Sequence, residues 1–182
     1  MRLASLPTLL LPLAACATPQ PGLLRQFEAT LAAQDSATAA LGQWCGARQI
    51  ARPATIRALP VAGADRAATQ AIRAALGVAA DEPIAYRHVQ LLCGDTVLSQ
   101  AHNWYVPARL TADMNRTLAT TQTPFGTVVS PLGFRRERGP SQRGAASECP
   151  PATVLSHSAV LRLPDGRAIS MVVECYTAAN VR

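Results

Sequence analysis

Two charged residues lie inside apolar, strand-like runs, and their side chains could bind and act on a small acid. Arg87 precedes Val89 by two residues, and Glu174 follows Val172 by two. Because a strand alternates its faces with a period of two, each charge shares the inward face of its apolar neighbour. A lone buried charge is costly unless it is paired or serves a ligand. The pattern predicts a polar pocket for a small anion or, alternatively, a structural ion pair between Arg87 and Glu174.

A resemblance to a known enzyme family rests on four short segments. They are DSATAAL at 35–41, YRHVQLL at 86–92, TPFG at 123–126 and VECY at 173–176. In this order and at this spacing, spread over residues 25–177, they resemble the chorismate pyruvate-lyase family. That family eliminates pyruvate from chorismate to give 4-hydroxybenzoate.

The resemblance implies a role for each site residue. Arg87 would bind the substrate carboxylate, Phe125 would offer its backbone amide, and Glu174 would be the catalytic acid–base group. Ala37 stands where the family has methionine, so the substrate pocket would be wider. The implied fold is α+β, a single antiparallel sheet of about five to six strands with helices packed on one face. We expect no cofactor, and the expected partner is a small anionic aromatic or pre-aromatic carboxylate.

Two other classes of function fit the same residues. The implied fold also resembles the effector-sensing domains of some transcription regulators, which bind small molecules without turnover. A non-catalytic periplasmic lipoprotein that binds or senses a small molecule is therefore the alternative to the lyase. In a structural envelope lipoprotein, the third class, Arg87 and Glu174 would only pair with each other. The sequence leaves these three open.

The N-terminal segment is typical of a bacterial lipoprotein signal. Arg2 is followed by an apolar run that ends in the residues LAAC at 13–16. We expect a signal peptide over 1–15, lipidation of Cys16, a tether over 16–24 and the lyase-like domain over 25–182. The apolar run is too short to span a bilayer. The predicted location is the cell envelope, as a periplasm-facing lipoprotein in the outer membrane that contacts the membrane through its lipid.

The remaining cysteines favour disulfides. Lipidation of Cys16 would leave an even number in an oxidising compartment, namely Cys45, Cys93, Cys149 and Cys175. Four cysteines allow three pairings, and their spacing does not choose among them. Close pairs of the kind that hold a metal are missing from the sequence, so we expect no metal site.

Composition indicates one folded domain with a basic surface. The chain has 182 residues, of which 49% are hydrophobic and 15% charged, a balance that excludes disorder. The net charge of +6 is carried by arginine, because the chain has no lysine. The densest basic cluster, RRER at 135–138, has no accompanying ladder of aromatic residues. We interpret it as a solvated strand end and expect no nucleic-acid partner.

Apolar spacing and turn residues predict an α+β order of elements. Helices are predicted over 21–33, from 35 or 36 to 45, from an Asp65 cap to 76, and over 110–120. Strands are predicted near 56–61, 84–92, 97–106, 127–137, 153–163 and 168–177.

The final hairpin turn decides which residue faces Glu174. The turn LPDGR at 163–167 suits a loop that closes with Leu163 opposite Arg167, and that closure would place Ser156 opposite Glu174. A two-residue turn would place His157 there instead. The Pro-Asp-Gly sequence favours the longer loop, so we do not expect His157 to be an acid–base partner.

Overall fold

Alternating apolar residues build one antiparallel sheet in the computed structural model, which describes residues 21–63 and 65–182. Its six strands lie in the order β1-β2-β3-β6-β5-β4. Their bounds are β1 (Ile56–Pro60), β2 (Ala85–Cys93), β3 (Thr96–Tyr105), β4 (Arg135–Arg143), β5 (Leu155–Arg162) and β6 (Ala168–Tyr176). The predicted fold class, α+β with a single antiparallel sheet, is confirmed.

Within the residues that the structure describes, five short α-helices connect or cover the strands of this sheet. They are α1 (Pro21–Ala32), α2 (Ala37–Ala47), α3 (Gln70–Leu76), α4 (Ala112–Thr120) and α5 (Phe125–Val128). Single 3₁₀ turns cover Pro107–Arg109, Ser130–Leu132 and Ala178–Val181. The Ser36 side chain caps α2 as predicted, but α3 begins later than the sequence indicated. Thr69 caps α3 by accepting a hydrogen bond from the Ile72 amide, a role that the sequence had given to Asp65.

Helices cover both faces of the sheet. On one face Phe27 of α1 and Leu41 of α2 pack with Val89 and Tyr176 of the sheet. On the opposite face Ile72 of α3 packs in a cluster with strand residues such as Trp104 and Val173. The arrangement of all helices on one face, which the sequence predicted, is therefore corrected for α3.

The segment 127–137 differs from its prediction as a strand. It begins inside α5, continues through a 3₁₀ turn, and becomes a strand only at Arg135. Pro131 cannot donate to a strand ladder, and Gly133 has a positive φ of 62° that ends the turn. The valines at 128 and 129 had suggested a strand, but these two breakers override their preference.

An extra residue in β6 sets the register of the final hairpin. The loop closes as predicted, because the Leu163 amide donates to the Arg167 carbonyl. A bulge then intervenes: Arg162 pairs with Ala168, whereas Leu161 pairs with Ser170, so Ile169 has no partner residue in β5. This shift places His157 opposite Glu174, and the prediction that Ser156 faces Glu174 is wrong.

The four cysteines of the described chain lie in two disulfides. Cys45 of α2 is bonded to Cys93 at the end of β2, and the two are 48 residues apart in sequence. Cys149, in the loop before β5, is bonded to Cys175 of β6 over a separation of 26 residues. The first bond holds α2 on the sheet, and the second holds the 144–154 loop on the opposite face.

The predicted N-terminal boundaries change where the structure describes them. Residues 21–24, assigned to a tether, belong to α1, and Leu23 is part of the core. The signal segment and Cys16 lie outside the described residues. Within 21–63 and 65–182, no helix has the length and apolarity needed to cross a membrane.

Candidate functional site

A small cavity of about 50 Å³ lies between the sheet and the first turns of α2 and α5. Its apolar lining comes mainly from Val89, Leu91, Ala101, Phe125, Phe134, Leu161 and Val172. Its polar lining comes from Asp35, Ser36, Thr38, Arg87, Asn103, Arg136 and Glu174.

Arg87 presents an unpartnered donor to this cavity. Its Nη2 makes two long hydrogen bonds, of 3.5 and 3.4 Å, to the carbonyl oxygens of Thr121 and Thr123. Its Nη1 is buried and has no protein partner. Burial lowers the pKa of this guanidinium, yet an arginine remains charged in a protein. A buried charge with an idle donor is a place where an anion would bind favourably.

Asn103 presents a second unpartnered donor directly across the strand pair. It is the register partner of Arg87 in β3, and its side chain is buried. Its Oδ1 accepts a hydrogen bond from the Ser170 hydroxyl, whereas its Nδ2 has no partner. Cross-strand partners lie about 5 Å apart at their Cβ atoms, so the two residues are neighbours on the same face of the sheet.

Glu174 lines the same cavity, but a second arginine holds it. Arg136 Nη1 donates to Glu174 Oε1 at 3.2 Å, and Arg136 Nη2 is paired with Oε2. Tyr176 donates its hydroxyl to Oε2 at 2.8 Å. Both charged side chains are only 6% exposed. The two oxygens of Glu174 are therefore occupied by protein donors.

The surroundings of this ion pair hold both arginine and tyrosine in their usual protonation states. Burial by itself would lower the pKa of Arg136, but the Glu174 carboxylate more than offsets it, so that pKa is raised. Burial raises the pKa of Tyr176 well above its usual value, and the negative charge of Glu174 adds to the effect. A fully buried neutral tyrosine and a permanent cation thus fix the carboxylate.

A close helix contact forms the roof of the cavity. Gly126 of α5 lies so near the first turn of α2 that a Cβ built there would approach Ser36 Oγ to 2.6 Å and Thr38 Oγ1 to 3.2 Å. A larger residue at position 126 would push the two helices apart. The two helices can approach closely enough to close the roof because glycine has no side chain.

The structure brings together all four predicted binding and catalytic residues. Arg87, Glu174, Phe125 and Ala37 line one cavity. The predicted alternative of an Arg87–Glu174 ion pair is replaced by a pair between Arg136 and Glu174. Arg136 was interpreted as part of a solvated strand end, and this interpretation is wrong. Phe134, two residues earlier on the same face, was the available signal that Arg136 points inward.

Three further histidine and tyrosine side chains form a cluster on the opposite face of the sheet. His88 and His102 stack with ring centroids 4.1 Å apart, and the Tyr86 hydroxyl bonds to His102 Nδ1 at 2.7 Å. Burial, followed by the nearby charges of His88 and Arg66, lowers the pKa of His102 to about 4. These residues do not reach the cavity. Within the described ranges no group of three or more His, Cys, Asp or Glu residues could hold a metal ion.

Comparison with known proteins identifies a close relative. Over 174 residues the chain is 43% identical to the uncharacterized protein y4mC of Sinorhizobium fredii, a match that covers 85% of this chain and 73% of the relative. The chain belongs to the y4mC family. No family model matches the chain.

Solved structures share the fold of this chain. PhnF from Mycobacterium smegmatis is similar with a TM-score of 0.58 at 15% identity, over 82% of this chain and 66% of PhnF, just under two thirds. The effector domain of PhnF gives 0.55 at 16% identity, over 80% of this chain and 90% of that domain. A GntR-family transcriptional regulator from Bacillus cereus has a TM-score of 0.42 at 14% identity, over 69% of this chain and 87% of that regulator. The fold is the chorismate lyase-like fold of such effector domains, whereas membership of the pyruvate-lyase family itself is not supported.

These neighbours correct three expectations from the sequence. They are transcriptional regulators, and neither lyases nor lipoproteins are among them, so the descriptions of a lyase and of a lipid-anchored protein are wrong. Regulators of transcription act on DNA, which overturns the exclusion of nucleic acid as a partner. The same finding overturns the periplasm-facing location in the outer membrane. The two disulfides carry no information about a lipid anchor.

Proposed function

We propose that this protein is a small-molecule-binding domain that holds a compact organic acid without transforming it. The ligand would carry a carboxylate, which Arg87 and Asn103 bind, and an apolar body, which fills the rest of the cavity. The effector domain of PhnF, with the same fold, provides a structural parallel for a binding rather than a catalytic role.

One observation carries this proposal: two residues that line one cavity each have a buried donor with no protein partner. Arg87 Nη1 and Asn103 Nδ2 belong to residues that face each other across β2 and β3. Leaving a buried donor unsatisfied costs about 1–3 kcal/mol, and more when the group is charged. A carboxylate offers two oxygens with the spacing that such paired donors match. The bound acid would remove both penalties together.

The charges around the cavity support an acid rather than a neutral ligand. Arg136 and Glu174 neutralise each other, whereas no carboxylate lies within ion-pair distance of Arg87 among the described residues. Asp35 lies at the exposed edge of the roof, where water screens its charge. A single uncompensated positive charge, that of the half-buried Arg87, therefore lines the cavity beside apolar side chains that suit a hydrocarbon body.

The occupied carboxylate of Glu174 supports binding without chemistry. A group that transfers a proton must lie within hydrogen-bond reach of the ligand. Oε2 of Glu174 is engaged by both Arg136 and Tyr176, and Oε1 accepts a hydrogen bond from Arg136 at 3.2 Å. Its role in this proposal is to keep Arg136 neutralised and the cavity wall rigid.

Ligand-dependent thermal stabilisation tests the proposal. The probes are benzoate and cyclohexanecarboxylate, with benzamide as the neutral counterpart of benzoate. We expect the two acids to stabilise the protein, by about 2.7 kcal/mol at a hundredfold their dissociation constants, and benzamide to have little effect. Arg87→Met should lose the response, because it keeps the aliphatic stem and removes the charge.

Arg116→Met is the matched control for this experiment. Arg116 lies on α4, and its side chain is 66% exposed, so the same change of charge occurs away from the cavity. The control should respond to benzoate like the unmodified protein. Equal stabilisation by benzoate and benzamide, or an undiminished response in Arg87→Met, would contradict the proposal.

A further inference from the structure

A second cavity lies beside the first over the same face of the sheet. It has a volume of about 250 Å³ and lies between α1, β4 and β5. Its strand side is lined mainly by polar residues, whereas its helix side combines Glu28 with apolar residues. The polar residues are Glu28, Arg136, Arg138, Ser141, His157 and Ser158, and the apolar ones include Leu31, Ala32 and Ala37. We call it the second chamber and the Arg87 cavity the first chamber.

Two residues form the boundary between the chambers. Among the described residues, Ala37 and Arg136 line both. Arg136 is held against the sheet by Glu174, so its guanidinium lies along the floor. From the helix side only the methyl group of Ala37 contributes to the boundary. The two chambers are therefore adjacent, with the small side chain of Ala37 and the paired Arg136 between them.

The second chamber carries one positive charge beyond its ion pairs. Arg136 is neutralised by Glu174, and Glu28 is neutralised by Arg143 at 2.9 Å. Arg138 lies within ion-pair distance of no acidic residue in the described chain; its Nη2 donates to the carbonyl oxygens of Ala32 and Gln34, which leaves its charge intact. Next to it, burial lowers the pKa of His157, so at neutral pH this imidazole acts as a neutral hydrogen-bonding group.

We propose that the ligand is bipartite, with a second anionic group that binds in the second chamber beside Arg138 and His157. This inference rests on the proposed function, because the first carboxylate is the one that Arg87 holds. The apolar body of the ligand would run from the first chamber over Ala37. The protein would then prefer a diacid to the matching monoacid.

The sheet register sets the length of such a ligand. Arg87 lies on β2 and His157 on β5, and these strands are separated by β3 and β6. Three strand spacings amount to about 14 Å between the backbones. Because both side chains extend over the face towards the chambers, the two acidic groups of the ligand would be on the order of 10 Å apart. Short diacids cannot reach both sites.

A matched series of linear acids tests this inference. The probes are butanedioate, hexanedioate, octanedioate and decanedioate, each compared by calorimetry with the monoacid of equal chain length. For the two short chains the second carboxylate should bring no gain. For the two long chains the diacid should bind roughly tenfold or more tightly than its monoacid, the scale of an added charge-assisted hydrogen bond.

Three variants assign that gain to the second chamber. His157→Asn and Arg138→Gln should each bring the long diacid to monoacid ratio close to one. Ala37→Leu should do the same, because it narrows the passage. The ratio is measured within each variant, so a general loss of affinity or stability cancels. Arg116→Gln, with the charge change of Arg138→Gln at an exposed site, should keep the full ratio.

Each outcome separates this inference from the proposed function. If monoacids bind and no diacid gains at any length, the bipartite ligand is refuted and the binding function stands. If long diacids gain but His157→Asn and Arg138→Gln keep the ratio, the second group binds elsewhere and the inference is again refuted. If neither monoacids nor diacids nor benzoate bind, the proposed function fails first.

Discussion

Arg136 and Glu174 belong to strands that are not neighbours, and they meet over the strand between them. Arg136 lies on β4 and Glu174 on β6, with β5 in the middle, and the guanidinium crosses β5 to reach both carboxylate oxygens. Both side chains are almost fully buried. The pair therefore connects three strands and forms part of the cavity wall as a single neutral unit.

Removal of one partner of this pair should be more harmful than removal of both. Glu174→Ala leaves a buried arginine without its counter-charge, and we expect a loss of about 3–5 kcal/mol in the free energy of unfolding. The double variant Arg136→Met, Glu174→Met should lose less free energy of unfolding than Glu174→Ala or Arg136→Met alone. Chemical denaturation measures the stability of all three variants. Glu137→Ala, which breaks the exposed pair with Arg162, is the control and should cost about 1 kcal/mol or less. A Glu174→Ala loss no larger than this control would contradict the prediction.

Replacement of Asn103 should affect the stability of the free protein and the binding of its ligand in opposite directions. Asn103→Leu with Ser170→Ala removes an unsatisfied buried donor and the hydroxyl bonded to its amide. We expect the ligand-free protein to be as stable as before or more stable by about 1 kcal/mol, while benzoate binding falls roughly tenfold. Asn180→Leu is the contrasting variant. Asn180 Nδ2 donates hydrogen bonds to the Leu98 and Thr177 carbonyl oxygens, so its loss should destabilise the folded protein. Destabilisation of the Asn103 variant to the same extent would show that Asn103 is merely structural.

Stability should decrease in mild acid because of His102. Its pKa in the folded protein is about 4, and that of an unfolded histidine is about 6.5. The unfolded state therefore binds more protons between these values, and the contribution of His102 is complete above pH 6.5 and decreases as the pH falls towards 4. We expect this contribution to be on the order of 3 kcal/mol. His102→Gln should flatten the pH dependence of the unfolding free energy in that window. An unchanged slope would refute the assignment, since the carboxylates titrate in both proteins.

The two disulfides should contribute unequally to stability. The Cys45–Cys93 bond closes a longer loop than the Cys149–Cys175 bond, with separations of 48 and 26 residues. Loop-closure entropy predicts about 4 kcal/mol for the first and about 3.5 kcal/mol for the second, as upper values. Pairwise replacement by alanine, followed by urea denaturation, measures both. A larger loss from the Cys149 and Cys175 pair than from the Cys45 and Cys93 pair would contradict this order.

Sequence periodicity was sufficient to place most of the sheet and two of the polar cavity residues. Arg87 and Glu174 stand out because each interrupts an apolar strand, and both line the cavity. Arg136 escaped notice because it is surrounded by other charges, so its neighbours hide the period of two. Within β4 only Arg136 is buried, and its burial depends on strand residues that are far away in sequence.

The orientation of His157 could not be predicted from the local sequence of the turn. The turn at 163–167 was interpreted correctly, and its closure is the expected one. The bulge at Ile169 moves the register by one residue, and a one-residue shift exchanges the two faces of β5 relative to β6. Ile169 is a fully buried apolar residue with no turn chemistry, so nothing in its local sequence marks it as the extra residue.

The Cys45–Cys93 bond also determines how a ligand can enter and leave. It fixes the last turns of α2 to β2, the strand that carries Arg87, so this half of the roof cannot lift from the floor. The opposite end of the roof is the contact between Gly126 and the first turn of α2, and it borders an open groove lined by hydroxyl groups such as those of Thr55, Thr123 and Thr127. Exchange of the ligand with solvent would proceed through this seam. Its rate would depend on the separation of two short helix ends, and the core around Trp44 and Phe27 would stay packed while the ligand comes and goes.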